Sequence, residues 1–548
     1  MNETPSPRGF LRRPEPKAIG HQGRGEQIVA GELPIGGIVL TGDFLTAEMS
    51  PSVAAELHGF GWLDDLAAVG SPKARAVAQH HVLHWLKRHR TPHADAPEWV
   101  PAIAGRRVLH WIFHAGMILP GLDREGAEPY FRALDQHLIH LRATWYDTPD
   151  GLPRLEALAG LAVGAMSLRD RQAVAQPALI ALAEEADAMG LATLSEPRSP
   201  ETLLEAMALL VWTQEVADEG GHSSPPELRA IIAEIAPILR ALRHADGGLP
   251  CFHGGGRGAA GRLDRCLRAA EGAALPAQGL AMGFARMARQ RSTLILDAAA
   301  PPGGPAATRA HASTLGIEFT VARQPLIVNC GPGDGFGELW AKASRATPCH
   351  SALCLDGLSS SRLDPNRAAG EPDMLTERPA LVWAGDCDAL GNLTAPECGP
   401  THSPDPAHLL AGHDGWLDSH GLTHLRELWL SPDGATLQGE DSLAALDASA
   451  QSRLDHLRPA EGLEFDIRFH LHPDVQARHQ GDEILLTLPT GDEWRFTHDG
   501  VGRLHLEASC LLDRTLAQPR PSRQIVISAY LQSRAVQIGW TLARSGVR

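Results

Sequence analysis

Three tyrosines are all that 548 residues contain, at positions 130, 146 and 530, so any chemistry needing a phenol has few places to come from. No apolar run is long enough to span a bilayer, which argues against a membrane segment. The N-terminus, "MNETPSPRGFLRRPEPKAIGHQGRGEQ", lacks the apolar stretch of a Sec signal, so on that ground the expected location is the cytoplasm. Basic residues are in deficit: 49 Lys and Arg against 65 Asp and Glu leave a formal net charge of −16. That excludes a sequence-independent nucleic-acid binder, which needs a basic face to displace phosphate counterions. The eight cysteines, at 251, 266, 330, 349, 354, 387, 398 and 510, form no CxxC and no ribbon-like spacing. They read as scattered thiols serving as small core hydrophobes.

What is present suits a globular protein of two large domains, with 43% hydrophobic and 21% charged residues. Residues 1–25, rich in proline and arginine and poor in large apolar side chains, are expected to form a disordered tail. Residues 26–290 are expected to be helical. In "RRVLHWIFHAGMIL" the apolar positions Val108, Leu109, Trp111, Ile112, Ala115, Ile118 and Leu119 recur at helical spacing. "SPETLLEAMALLVW" adds a Ser199 cap, Pro200 in the first turn and Glu201 at the positive end of the dipole. Pro237 is expected to kink or split the helix around "IIAEIAPILRAL". Many amphipathic helices on short connections imply an α/α toroid-like array, because each needs neighbours on its apolar face.

From about residue 291 to 548 the period becomes two. "GIEFTV" puts Ile317, Phe319 and Val321 on one face, and "ARQP" turns the chain into "LIVNC". Later strand, turn, strand patterns complete an antiparallel β-sandwich, interrupted by a Pro, Gly, Asp and Ser-dense stretch, 358–412, expected to be a long loop. The fold class is therefore α+β multidomain, with the working cleft expected between the halves.

Several residue sets could carry chemistry there. His311, Asn329 and His350 would converge if their strands are neighbours. A His, Asp, His set would suit zinc, whereas an amide in the middle equally suits a buried hydrogen-bonded network. His244 and Asp246 lie at a helix end before the glycine-rich "HGGGRG", which lacks the GK[ST] ending of a phosphate loop, so no nucleotide cofactor is expected. His110 and His114 share a helix face, but without the HExxH glutamate they read as packed or solvent-facing. His470 and His472 share a strand face without a third ligand in view.

The succession "AHASTLGIEFTVARQPLIVNCG", "SRATPCHSALCLDG" and "HDGWLDSHGLTHLRELWL" resembles the C-terminal region of the heparinase II/III family of polysaccharide lyases, and the helical half resembles that family's toroid. The resemblance implies β-elimination on uronate-containing, acidic polysaccharide: a base removes the C5 proton while the site neutralises the adjacent carboxylate. It implies a metal set at His311, Asn329 and His350, with zinc the candidate ion, and a location in the cell envelope or periplasm. Position by position, Arg309 stands where the family has the first His of a His-x-His, Asn329 where it has the metal Asp, and Pro149 and Asp150 where its Asn-His pair falls. No tyrosine lies near 199–206. The expected catalytic candidates are then His350, His244, Asp150 and Asp246, with Arg309, Arg345 and Arg426 as carboxylate clamps. Two rival functions stand beside the lyase. One is a non-catalytic glycan-binding or polysaccharide-assembly protein. The other is a glycoside hydrolase using two carboxylates, for instance Asp150 and Asp246, which for inversion would stand about 6.5–9.5 Å apart.

Overall fold

The computed structural model describes residues 9–18, 20–46, 49–93, 96–270, 280–355, 357–366, 373–387, 393–394, 407–516 and 518–545. Its N-terminal half is helical and its C-terminal half is built from antiparallel sheets. The helical half runs from Pro51–Gly59 through Pro101–Phe113, Leu152–Ser167, Gln172–Ser195 and Pro200–Gly220 to Arg262–Ala269. Helix N-termini follow the expected chemistry: Ser50, Ser71, Asp123 and Ser199 each accept from a backbone N–H of the first turn. Pro101–Phe113 and Leu152–Ser167 cross at Gly105 and Gly160. A Cβ on Gly105 would lie 2.1 Å from the Glu156 carbonyl oxygen, so only glycine lets the backbones approach that closely. The helix Pro226–Ala241 runs on through Pro237 instead of splitting. Its buried stripe of Ile231, Ile232, Ile235 and Leu239 holds it in place across the lost backbone bond.

The expected disordered tail is corrected from residue 9 onward. Phe10 packs edge-on against Tyr130 and Phe131, and the Leu11 N–H donates to the Ser167 carbonyl at 2.8 Å. The Lys17 ammonium lies 3.0 Å from both Glu215 and Glu219, and a helix begins at Gln22. One aromatic ring and one paired lysine are enough to anchor a stretch that composition alone reads as free. Residues 1–8 lie outside the described residues.

Two sheets face each other in the second half. One has nine strands in the order 393–394, 381–387, 407–416, 422–430, 436–444, 535–544, 493–498, 483–487, 476–480. The other has eight, running 503–511, 520–531, 463–471, 324–328, 317–321, 292–297, 284–289, with Leu353–Leu355 also pairing 463–471. Pairing of Phe284–Arg289 with Ser292–Asp297 starts the sheet ahead of residue 291. The stretch 358–412, expected as loop, contributes the strands Leu375–Glu377 and Leu381–Cys387 and the start of Ala407–Trp416; much of its remainder lies outside the described residues. Leu381–Cys387 and Ala407–Trp416 each have a strand on both sides, so the turn-forming residues between them hid sheet-forming segments from the sequence pattern. "QIVISAYLQSRAVQIGWTL" does form two strands, but Arg520–Leu531 and Ala535–Arg544 belong to different sheets, so the short turn carries the chain from one layer to the other.

Ile317–Val321 and Gln324–Val328 form the hairpin read from sequence. Its two-residue turn puts Ala322 at φ 48° and Arg323 at φ 73°, the double left-handed turn that tight hairpins require. The strand Ile317–Val321 is buried on both faces. Ile317, Phe319 and Val321 enter the core between the sheets, while Glu318 and Thr320 point the other way and are also buried. Glu318 meets His244 and the Cys251 backbone N–H of the helical half, so the toroid-like array lies over the outer face of this sheet. That covering turns an ordinary solvent face into a buried polar interface.

Candidate functional site

Two features occupy the junction of the halves: a buried polar network and an open cleft beside it.

In the network, a carboxylate or amide from the sheet meets a partner from the helical half or a neighbouring loop. Asp297 is fully buried and takes an ion pair from Arg198, a hydrogen bond from the Ser313 hydroxyl at 2.6 Å, and faces His253 Nε2 at 3.4 Å. His253 Nδ1 accepts from the His311 N–H at 3.1 Å, which places the His253 proton on Nε2, toward Asp297. Glu318 lies 3.3 Å from His244 Nε2 and accepts from the Asn329 amide nitrogen at 3.1 Å, while the Asn329 amide oxygen accepts from the Ser351 N–H at 3.0 Å.

The imidazoles of His311 and His350 do come together. His350 Nδ1 donates to the Ala346 carbonyl at 3.0 Å, leaving Nε2 as the acceptor of His311 Nδ1–H at 3.2 Å. The single lone pair of His350 is therefore committed, and the ring is 2% exposed. Burial pushes the His350 imidazole down to about 4 and holds His311 well below the ordinary histidine value, so both are neutral at pH 7.

These residues do not fit zinc as a His, Asn, His set. Both ends of the Asn329 amide are engaged by Glu318 and Ser351, and the two imidazoles bond to each other. The amide is a network member.

Acid should undo this network. A neutral buried histidine with a lowered folded value lets the unfolded chain take up the proton first. The stability it contributes is whole above the unfolded value of about 6.5 and fades as pH falls toward about 4. His58 and His81, which burial also lowers to about 4, act in the same direction. Denaturant titrations from pH 7 to 4 are expected to lose on the order of 1–3 kcal/mol per buried histidine. A flat profile would show that these rings take up protons in the folded chain as readily as in the unfolded one.

The cleft encloses about 830 Å³ and is lined from both halves, by residues including Arg24, Asp64, Asp65, Arg106 and His110 on one side and Arg323, Leu512 and Arg514 on the other. Six arginines and seven carboxylates share its wall. Most of these arginines are already paired: Arg24 with Asp65 at 3.3 Å, Arg106 with Glu156 at 3.2 Å, Arg514 with Glu201 at 3.3 Å, Arg257 with Asp246, and Arg262 with Glu205. No tyrosine lines it. Tyr130 is buried with its hydroxyl donating to the Trp111 carbonyl at 2.8 Å, while Tyr146 and Tyr530 are exposed outside the cleft.

The other candidates are placed plainly. Asp246 lines the cleft, with its carboxylate held by Arg257 and the Gly248 N–H. Asp150 does not: it is exposed and paired with Arg154 at the start of Leu152–Ser167, so Asp150 and Asp246 do not face one cavity as a hydrolase pair. His244 is buried against Glu318 and does not open into the cleft.

Arg345 is nearly buried, and each of its guanidinium nitrogens already donates to the backbone, to the carbonyls of Ala310, Asp373 and Ala307 at 2.7–2.8 Å, so it braces these loops. Arg426 is fully buried and engaged by Asp441 and by the Leu315 and Ser351 carbonyls, so it holds the sandwich together and clamps no substrate. Arg309 is exposed and, with His311 and Arg345, lines a separate pocket of about 200 Å³, where it reaches Asp334 at 3.3 Å.

The sequence reading passed over a third group. Asp64, His110 and His114 place one ligand atom each within 4.8 Å of one another, and Asp64 and His110 line the cleft. The i, i+4 spacing was visible, but the carboxylate comes 50 residues before His114, on another helix, and no local motif announces it.

A profile of the Heparinase II/III-like, C-terminal family matches residues 272–541. FtsZ-localized protein C of Caulobacter vibrioides is 30% identical over 559 aligned positions, covering 99% of this chain and 91% of that protein. The chain belongs to the heparinase II/III-like family. In fold, this family member is similar to the crystal structure of heparinase III, with a TM-score of 0.65 at 10% identity, covering 96% of this chain and 85% of that one. A heparan sulfate lyase HepC mutant from Pedobacter heparinus gives a TM-score of 0.54 at 11% identity, covering 96% and 83%. Among the described residues, no helix of this heparinase-like chain is long and apolar enough to cross a membrane.

Proposed function

We propose that this chain is a recognition protein on a lyase fold: it binds saccharide in the cleft between its halves without β-elimination, and works beside the FtsZ assembly at the division site. The observation that carries this reading is the state of the candidate base. Elimination needs a base with a free lone pair within reach of the C5 proton. His350 gives its lone pair to His311 inside the network, His244 is buried against Glu318, and no tyrosine lines the cleft. A dense polyanion would also meet a wall with more carboxylates than arginines, most of the arginines already paired, so a glycan with isolated carboxylates suits the cleft better than a heavily sulfated one. Placement with FtsZ is carried over from the name of the Caulobacter relative, which aligns over nearly the whole chain.

Purified protein is expected to give no rise in the ultraviolet absorbance of unsaturated uronate with heparan, chondroitin, alginate or bacterial acidic polysaccharides. It should still retard a subset of them in affinity electrophoresis. A fluorescent fusion is expected to gather at midcell and disperse when FtsZ is depleted. A rise in absorbance that His350→Ala abolishes would overturn the non-catalytic reading, and a diffuse fusion would overturn the placement.

A further inference from the structure

The cleft holds a side-chain set that recognition of sugar by hydrogen bonds alone does not use. His110, in the helix Pro101–Phe113, and His114, which caps it, sit one turn apart with parallel rings, 1° between planes and 6.4 Å between centroids. Both aim at one oxygen of Asp64, in the first turn of Leu63–Val69: His114 Nε2 lies 2.6 Å from Asp64 Oδ1 and His110 Nδ1 lies 3.6 Å from it. His110 Nδ1 is buried and has no hydrogen-bond partner, an unsatisfied nitrogen that needs a reason.

We propose that Asp64, His110 and His114 bind one divalent transition-metal ion of the zinc class at the wall of the cleft, with a remaining coordination position open to the ligand. Two imidazoles and one carboxylate are the ligand types such ions take, and three protein ligands with one open position mark sites that act on something else. Bonds of about 2.0–2.1 Å at tetrahedral angles set donor atoms roughly 3.3 Å apart. His110 and Asp64 already stand near that separation. His114 and Asp64 need only open from their present hydrogen bond, with the ion replacing the shared proton.

Because Asp64 and His110 line the cleft, the open position faces its interior, where a sugar carboxylate or hydroxyl could complete the shell. The supporting shell is thin: His114 Nδ1 has no hydrogen-bond partner, whereas tight sites tie each ligand's far nitrogen to a carboxylate or carbonyl. The site therefore holds its ion less tightly than one whose ligands are braced on both nitrogens. This set is separate from His311, Asn329 and His350, and ion binding does not depend on what else the cleft holds.

The test uses the full chain, stripped with chelator and titrated calorimetrically with zinc alone, with elemental analysis for stoichiometry and cobalt(II) absorption for geometry. One ion per chain is expected, with an N, O-ligated tetrahedral cobalt spectrum. His110→Ala, at a partly exposed position, is expected to weaken binding at least ten-fold while leaving the circular dichroism unchanged. Asp64 and His114 are buried, so His110→Gln serves as the second variant in place of substitutions that could unfold the chain. Failure of the wild-type protein to bind zinc, undiminished binding by both His110 variants, or binding lost in His311→Ala and kept in His110→Ala would each overturn the proposal. Because no saccharide is present, none of these outcomes bears on whether the cleft binds glycan.

Discussion

Asp441→Ala is expected to destabilise the sandwich by about 3–5 kcal/mol, because it strands a fully buried guanidinium. Asp441 is 1% exposed and accepts from Arg426 Nε at 2.7 Å, Arg426 Nη2 at 3.1 Å, His424 Nε2 at 2.8 Å and Trp540 Nε1 at 2.9 Å. Arg426 donates onward to the carbonyls of Leu315 and Ser351, at 2.7 and 2.9 Å. Asp441 and Arg426 lie on adjacent strands of the nine-stranded sheet, while Ser351 directly precedes the stretch that pairs with the eight-stranded one. The cluster thus spans the layers.

The histidines extend it. Gly415 N–H donates to His413 Nδ1, His413 Nε2–H to His424 Nδ1, and His424 Nε2–H to Asp441, so each ring is a neutral donor and acceptor. Burial would raise the Asp441 carboxyl, but Arg426 and His424 hold it well below the usual carboxylate range. Its contribution is therefore present above the unfolded value near 3.8 and lost as pH falls further. Asp441→Asn keeps the shape and loses the charge, so it should fall nearly as far as alanine. Guanidinium midpoints measure both. A loss under 1 kcal/mol in either would mean that water or a backbone shift replaces the carboxylate.

The same residues show where sequence stops being informative. Period two in "GIEFTV" and the apolar spacing of "RRVLHWIFHAGMIL" determine a strand and a helix locally; the strand formed, and the helical stretch formed as Pro101–Phe113 with a break at His114 before the short Ala115–Ile118. What could not be seen was a second packing event: the helical half covers the outer face of one sheet, so Glu318 and Asp297 join the candidate Asn329 in a buried network. Arg426 and Arg345 illustrate the consequence, since an arginine reads alike in sequence whether it faces substrate or three carbonyls. His110 and His114 were legible as a pair. Asp64 was not legible as their partner, because helix Leu63–Val69 reaches them through tertiary packing. The arginine-rich N-terminus errs the other way, since Phe10 and Lys17 find partners over a hundred residues distant.

Arg198→Ala is expected to uncouple the halves. Arg198 precedes the helix Pro200–Gly220, and its guanidinium reaches across the junction to Asp297 and to the carbonyls of Met282 at 2.8 Å, Gly283 at 3.1 Å, Ala299 at 3.2 Å and Ala300 at 2.7 Å. It also lies 4.8 Å from the centre of the Phe284 ring. Removing it leaves a buried carboxylate without its cation and takes a donor from four carbonyls, of which Gly283 keeps the Ala298 N–H and Ala299 the Thr314 hydroxyl, a loss of about 3–5 kcal/mol on the buried-pair scale. Asp297 would then lean on His253, whose Nδ1 accepts from His311, so the disturbance should reach the imidazole pair.

Lysine cannot substitute, because one ammonium cannot fork to a carboxylate and several carbonyls at once. Differential scanning calorimetry is expected to show the wild-type chain melting in one transition. Arg198→Ala and Arg198→Lys should both split it, with the half that melts first doing so well below the wild-type midpoint. Asp297→Asn, which keeps the donors' partner but not its charge, should shift the transition without splitting it. A single, unshifted transition in Arg198→Ala would show that the apolar contacts around Phe284, which joins the helical core, hold the halves together without this ion pair.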